Sequence, residues 1–125
     1  MTDLQRVLVL EDNPDHLRLY RKTFARHNWE VLAVSTRDEA ERWVQTLDFR
    51  VVVCDMHLGD ELGIHFIREY RDHFAASGTH IVVVSAHEHY RAECEALGVY
   101  QYLVKPISPR NLNVLIERLL YLPGV

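Results

Sequence analysis

Apolar residues recur along this chain in two rhythms. Short unbroken runs alternate with longer stretches in which apolar positions return every third or fourth residue. The runs are Arg6 to Leu10 (RVLVL), Trp29 to Val34, Val51 to Cys54 (VVVC), Ile81 to Val84 (IVVV) and Tyr100 to Val104. Runs of this density suit strands buried on both faces of a parallel sheet. Between them, Leu17, Tyr20 and Phe24 mark one helix face, and Ala40, Trp43, Val44 and Leu47 a second. Phe66, Ile67, Tyr70 and Phe74 mark a third, and Leu112, Leu115, Ile116 and Leu119 a last one. A shorter and more polar helix is expected from Glu88 to Leu97.

The punctuation agrees with the rhythm. Asn13 is a good N-cap, Pro14 fits the first helical position, and Asp15 suits the positive end of the helix dipole. That helix is expected to end near His27-Asn28. Ser35 or Thr36 can cap the second helix, Ser77-Gly78 closes the third, and Gly98 stops the fourth. Ser108 caps the last, with Pro109 in its first turn. Strand followed by helix, five times over, gives a parallel sheet covered on both faces and joined by right-handed crossovers. The expected fold class is α/β. It is a flavodoxin-like (βα)5 three-layer sandwich with a five-stranded sheet of order 2-1-3-4-5. One domain spanning residues 1–125 accounts for the whole pattern.

Composition narrows the class. With 125 residues, 48% hydrophobic and 26% charged, the chain has the size and balance of one globular domain. A net charge of −4 gives no basic footprint for direct nucleic-acid binding. The apolar run near the N-terminus is too short for a signal peptide or membrane insertion. Cys54 and Cys94 stand in no metal-ligand spacing, and two reduced thiols fit a cytoplasmic protein. Leu122 to Val125 is the only linker-like segment.

The chemistry lies where strands end. The first ends in Glu11-Asp12, the third in Asp55, the fourth in Ser85 and the fifth in Lys105. In a parallel sheet all of these share the carboxyl edge, where open α/β folds bind ligands. The proposed order sets strands 1 and 3 side by side, which gathers Glu11, Asp12 and Asp55. Carboxylates so crowded keep a proton or gather around a cation. Oxygen ligands with open water positions suit Mg²⁺. A lysine and a hydroxyl aimed at the same point complete a pocket for a phosphoryl group beside a carboxylate nucleophile.

The ordered set Glu11-Asp12, Asp55, Gly63, Ser85 and Lys105-Pro106 resembles the receiver domain of two-component response regulators, through the whole chain. The resemblance implies a phosphorylation-dependent signalling switch that modifies only itself. Asp55 would accept a phosphoryl group from a histidine kinase or a histidine phosphotransfer protein. Asp12, Asp55 and the backbone carbonyl of His57 would bind Mg²⁺, with Glu11 acting through a metal-bound water. Lys105 and Ser85 would hold the phosphoryl oxygens, and Ser85 and Tyr102 would relay the change. An output domain or protein would read the face made by helix 4, strand 5 and helix 5, which leaves room for a homodimer. The segment Leu120 to Leu122 is either part of that surface or ordinary helix-end packing.

This sequence departs from the family pattern at three places. Ser85 stands where threonine is common. Gly59 stands where proline is usual, which is expected to loosen the loop after Asp55. His57 and His87 occupy the two variable positions flanking the phosphoryl group and are expected to modulate its lifetime. Other readings start from the same residues. One is a receiver-like interaction module that works without phosphorylation. An aspartate-nucleophile phosphatase needs a second acid where His57 stands. A flavodoxin-type cofactor module lacks a phosphate-cradling glycine loop after the first strand. A zinc site at His57, His87 and His89 lacks fixed ligand spacing.

Overall fold

The computed structural model describes residues 5–25 and 29–121. The expected end of the first helix at His27-Asn28 and the Leu122–Val125 segment lie outside the described residues. Five strands form one parallel sheet: β1 (Gln5–Leu10), β2 (Trp29–Val34), β3 (Val51–Asp55), β6 (His80–Ser85) and β7 (Gln101–Val104). Their spatial order is β2-β1-β3-β6-β7, which is the expected 2-1-3-4-5 of the main sheet. Two further strands, β4 (His57–Leu58) and β5 (Glu61–Leu62), pair antiparallel as a small hairpin. The sequence pattern predicts only a loop in that stretch.

The helices are α1 (Pro14–Phe24), α2 (Arg37–Thr46), α3 (Gly63–Ser77), α4 (Arg91–Ala96) and α5 (Pro109–Leu120). Strand alternation sorts the core into two layers. Val7, Val9, Val51, Val53, Val82 and Val84 face α1 and α5, meeting Phe24, Leu112 and Ile116. Leu8, Leu10, Val52, Cys54 and Val83 face the other way, meeting Ala40 and Val44 of α2, Phe66 and Ile67 of α3 and Cys94 of α4. The three-layer sandwich follows, with β3 buried along its full length.

Capping follows the sequence at both ends. The Asn13 side chain accepts from the N–H groups of Asp15 and His16, Thr36 from Glu39, and Ser108 from Asn111. Gly78 closes α3 in the left-handed conformation. Three expectations need correction. Trp43 is 39% exposed, so the buried stripe of α2 is Ala40 and Val44, with Leu47 at its edge. Helix α4 begins at Arg91, because residues 88–90 form a turn instead. Tyr100 precedes β7 and is 74% exposed.

Candidate functional site

Register alone assembles the acidic corner. Leu10 pairs with Cys54, so Glu11 and Asp55, the next residues on β1 and β3, emerge side by side. Asp55 pairs with Val84, which places Ser85 one step further along β6. Ser85 in turn pairs with Val104, which places Lys105 one step beyond that. The strand ends thus climb towards one point, and a one-residue slip in any ladder would turn these side chains to the wrong face.

A cavity of about 350 Å³ opens there, walled by Glu11, Asp12, Asn13, His16, Asp55, His57, Ala86, His87 and Lys105. Ser85 and Tyr102 are not in its wall. The Nζ of Lys105 donates to Oδ2 of Asp55 at 2.8 Å, and the His57 N–H donates to Oδ1 at 3.1 Å. Both Asp55 oxygens therefore have a donor. Glu11 is only 2% exposed. Its Oε1 lies 2.9 Å from His16 Nδ1 and 3.8 Å from Lys105 Nζ, whereas its Oε2 is buried and meets no donor. Asp12 is exposed and its Oδ2 accepts the Gly59 N–H at 2.8 Å.

These contacts split the two buried acids. Burial, then the hydrogen bond and negative charge of Asp55, push the Glu11 carboxyl up to about 8. Burial also raises Asp55. Hydrogen bonds from Glu11, Lys105 and the His57 N–H outweigh it and hold Asp55 below the usual carboxylate range. The pair keeps one proton near neutrality, on Glu11, and leaves Asp55 anionic.

Glu11, Asp12 and Asp55 each offer an oxygen within 4.8 Å of the others, and they are the only such group of three among the described residues. Hard oxygen donors, a donorless buried oxygen and an open cavity fit Mg²⁺. His57, His87 and His89 form no such group. Instead the His57 and His87 rings meet edge to face with centroids 5.6 Å apart, and the His89 ring lies 5.3 Å from that of His87.

Behind the cavity, the fully buried Ser85 accepts the His87 N–H on its hydroxyl at 3.0 Å. The buried Tyr102 hydroxyl donates to the His87 carbonyl. Burial raises the Tyr102 phenol, and a hydrogen bond with Ser85 pulls the other way. Ser85 and Tyr102 therefore grip the two peptide groups that flank His87, from two strands.

Two glycines shape the loop that follows Asp55. Gly59 has φ +62° and starts the two-residue turn of the β4–β5 hairpin. Positive φ at the first turn position alone marks a type II′ turn, which favours glycine. The loop expected after Asp55 is a hairpin whose turn amide is spent on Asp12. At Gly63 the reason is space. A Cβ there would fall 2.3 Å from the Asp55 carbonyl oxygen and 2.7 Å from Cys54 Sγ. The Gly63 N–H also donates to the Met56 carbonyl at 2.6 Å.

Sequence reasoning missed His16. A usable signal was there: Asn13 as N-cap makes His16 the third residue of α1, and side chains in a first turn lean back towards the preceding strand end.

Comparison with known proteins adds three findings. The family model described as response regulator receiver domain matches residues 7–117. The alginate biosynthesis transcriptional regulatory protein AlgB of Pseudomonas aeruginosa is 29% identical over 111 residues, covering 87% of this chain and 24% of that protein. The chain spans about a quarter of the length of the first curated relatives it matches. Among solved structures, a CheY-like receiver domain protein from Methanospirillum hungatei superposes with TM-score 0.85 at 21% identity, covering 94% of each chain. The response regulator TrrA of Thermotoga maritima, solved in complex with Mg²⁺-BeF, gives 0.78 at 21% identity, covering 93% of this chain and 99% of that one.

Proposed function

The chain belongs to the response regulator receiver domain family of two-component systems, and from that premise we propose that Asp55 is its phosphoacceptor, within one receiver domain formed by residues 1–125. The observation that carries this reading is the Asp55 carboxylate, kept anionic by Lys105 at 2.8 Å within an acid group whose oxygens lie within 4.8 Å. An Asp55 oxygen attacks the phosphorus of a phosphohistidine on a histidine kinase or phosphotransfer protein. The new P–O bond forms as the P–N bond breaks, and the donor imidazole leaves with a proton.

Mg²⁺, when bound, supplies neutralising charge to the carboxylates and phosphoryl oxygens. Asp12, Asp55 and the His57 carbonyl would hold it, with Glu11 acting through a water. The chain's own residues do the rest. Lys105 pairs with the phosphoryl oxygens, and Glu11 gives up its proton as the site fills. Ser85 turns its hydroxyl to the phosphoryl group and releases the His87 N–H. The His87 backbone held by Ser85 and Tyr102 then shifts, and with it the face built from α4, β7 and α5. Exposed Tyr100, Val104, Val114 and Tyr121 lie on β7 and α5 or at their ends, a fit for an output domain, an output protein or a second copy. A cytoplasmic setting accords with two unpaired cysteines, both buried.

The test is phosphoryl uptake from acetyl phosphate with Mg²⁺. The wild-type protein is expected to take up one hydroxylamine-labile phosphoryl group per chain and Asp55→Asn none. Equal uptake by Asp55→Asn would overturn the assignment. A folded wild-type protein that takes up none, from acetyl phosphate or from a kinase, would favour the phosphorylation-independent interaction module.

A further inference from the structure

Arg37, the first residue of α2, extends its guanidinium into a group of three carboxylates. Its Nε donates to Glu41 at 2.9 Å, its Nη1 to Glu61 at 2.7 Å and its Nη2 to Glu69. The Arg37 side chain is 18% exposed, less than any of its partners. Glu41 lies one turn along α2, Glu61 is in β5 and Glu69 is in α3. One side chain therefore ties two helices to the hairpin that follows Asp55. A guanidinium has five donors in a rigid plane and can serve three carboxylates together.

The hairpin needs such a tie. Each of its strands has two residues, and a ribbon that short does not hold its shape alone. Two-residue type II′ turns are tight, but their glycine costs conformational entropy on folding. Inside, Leu58 is buried in the core. Outside, Glu61 is the direct cross-strand partner of Leu58, and Arg37 holds Glu61. Between these anchors lies Gly59, whose N–H fixes the Asp12 carboxylate at 2.8 Å. On the opposite strand His57 pairs with Leu62 and sends its N–H to Asp55.

We propose that Arg37 is a positioning residue for the phosphorylation site, holding the β4–β5 hairpin so that the Gly59 N–H orients Asp12 and the His57 backbone stays against Asp55. The inference deepens the Asp55 reading and rests on it for its functional consequence. Loss of the cation acts twice. The tie to Glu61 is gone, and Glu41, Glu61 and Glu69 are left to repel one another, which drives the hairpin outward. The Asp12 carboxylate then loses a fixed donor, and the acid group is no longer preorganised for a cation.

Two measurements on the full chain test this: exchange of the Gly59 amide in metal-free protein, and Mg²⁺ affinity by calorimetry. Arg37→Gln is expected to speed Gly59 exchange while leaving β3 and β6 amides protected. It is also expected to weaken Mg²⁺ by roughly tenfold, the low end for residues that hold metal ligands in place. Arg37→Lys is expected to fail likewise, since an ammonium cannot span the three acids. The exchanged pair Arg37→Glu with Glu61→Arg again sets one guanidinium among three carboxylates and is expected to restore both readouts. Unchanged Gly59 exchange in Arg37→Gln overturns the proposal, as does failure of the exchanged pair to recover. Absence of Mg²⁺ binding by wild-type protein would overturn the Asp55 reading instead, and Gly59 exchange alone would then decide the tether.

Discussion

One half of the site is made by strand ends and the other by loops. Glu11, Asp55, Ser85 and Lys105 end or directly follow β1, β3, β6 and β7, and ladder pairs fix their neighbours to the residue. His57, Gly59, Ala86 and His87 lie on the short hairpin and on the connection after β6, held by a few side-chain and amide contacts. The strand half is buried and electrostatically committed, with Glu11 at 2% and Asp55 at 7% exposure. The loop half is open, and His57 and His87 are exposed. Hydrophobic patterning builds the charge of the site, and local contacts decide what reaches it.

The largest expected effect comes where the two halves touch. Gly63→Ala sets a Cβ 2.3 Å from the Asp55 carbonyl oxygen, and backbone cannot yield as a flexible side chain does. Overpacking of this kind is expected to cost about 3 kcal/mol, read as a lowered urea midpoint at unchanged slope. A midpoint that stays in place would show that the loop half moves freely against β3 and would break the distinction.

The strand half is expected to carry the pH dependence. Glu11 has an ordinary value near 4.5 in the unfolded chain and about 8 in the folded one. Between those values the folded protein holds a proton that the unfolded chain has lost. This contribution to stability is full below the unfolded value and is lost as pH rises through about 8. Asp55 has the opposite sign, being held low, and its contribution is lost only as acid protonates the folded protein. Metal-free protein should therefore lose stability as pH rises from about 4.5 to about 8 and level off above that, at most about 1.4 kcal/mol per pH unit for one proton. Mg²⁺ affinity should rise over the same range, because the Glu11 proton must leave. Urea midpoints of Glu11→Gln that follow the wild-type slope would remove Glu11 as the source.

The same division explains what the sequence disclosed. The runs RVLVL, VVVC and IVVV end in Glu11, Asp55 and Ser85, and period and strand order suffice to bring them together. His16 was within reach, since Asn13 sets its place in the first turn. The hairpin was not, because four residues of strand carry no periodicity and only Gly59 hints at the turn. Arg37 was further out of reach. Its partners Glu61 and Glu69 are 24 and 32 residues away in sequence, and the pairing exists only after α2, α3 and the hairpin converge. Trp43 fits the helical period of α2 and still faces outward, because a helix at the sheet edge has less core to fill than its stripe offers.

A smaller effect sits at the seam between β1 and α1. Asn13 accepts two backbone N–H groups, at 2.9 Å from Asp15 and 3.1 Å from His16. Asn13→Ala is expected to cost about 1 kcal/mol, as other N-caps do. Thr36→Ala, far from the acids, should cost a similar amount. Only the first should also weaken Mg²⁺, because only α1 presents His16 to Glu11. Calorimetry on both variants sharpens the comparison, since equal losses of stability with unequal losses of affinity separate folding from site geometry.

The smallest effect on stability, and the most telling for the loop half, belongs to His57 and His87. Their exposed rings lean together at 5.6 Å across the mouth of the cavity, so each screens one approach to a phosphoryl group on Asp55. Neither side chain is a core member, His57 belongs only to the two-residue strand β4, and replacing an exposed surface residue typically changes stability by under about 0.5 kcal/mol. Hydrolysis of an acyl phosphate needs water in line with the Asp55 oxygen–phosphorus bond, and a ring standing over that line blocks the approach of water. His57→Ala and His87→Ala are therefore expected to shorten the phosphoryl lifetime several-fold while urea midpoints stay put. The double variant should exceed neither single by the full product, because each ring leans on the other and removal of one already frees its partner. Lifetimes that match wild type in all three proteins would assign the control of hydrolysis to the strand half as well, leaving the loops to hold the metal and nothing more.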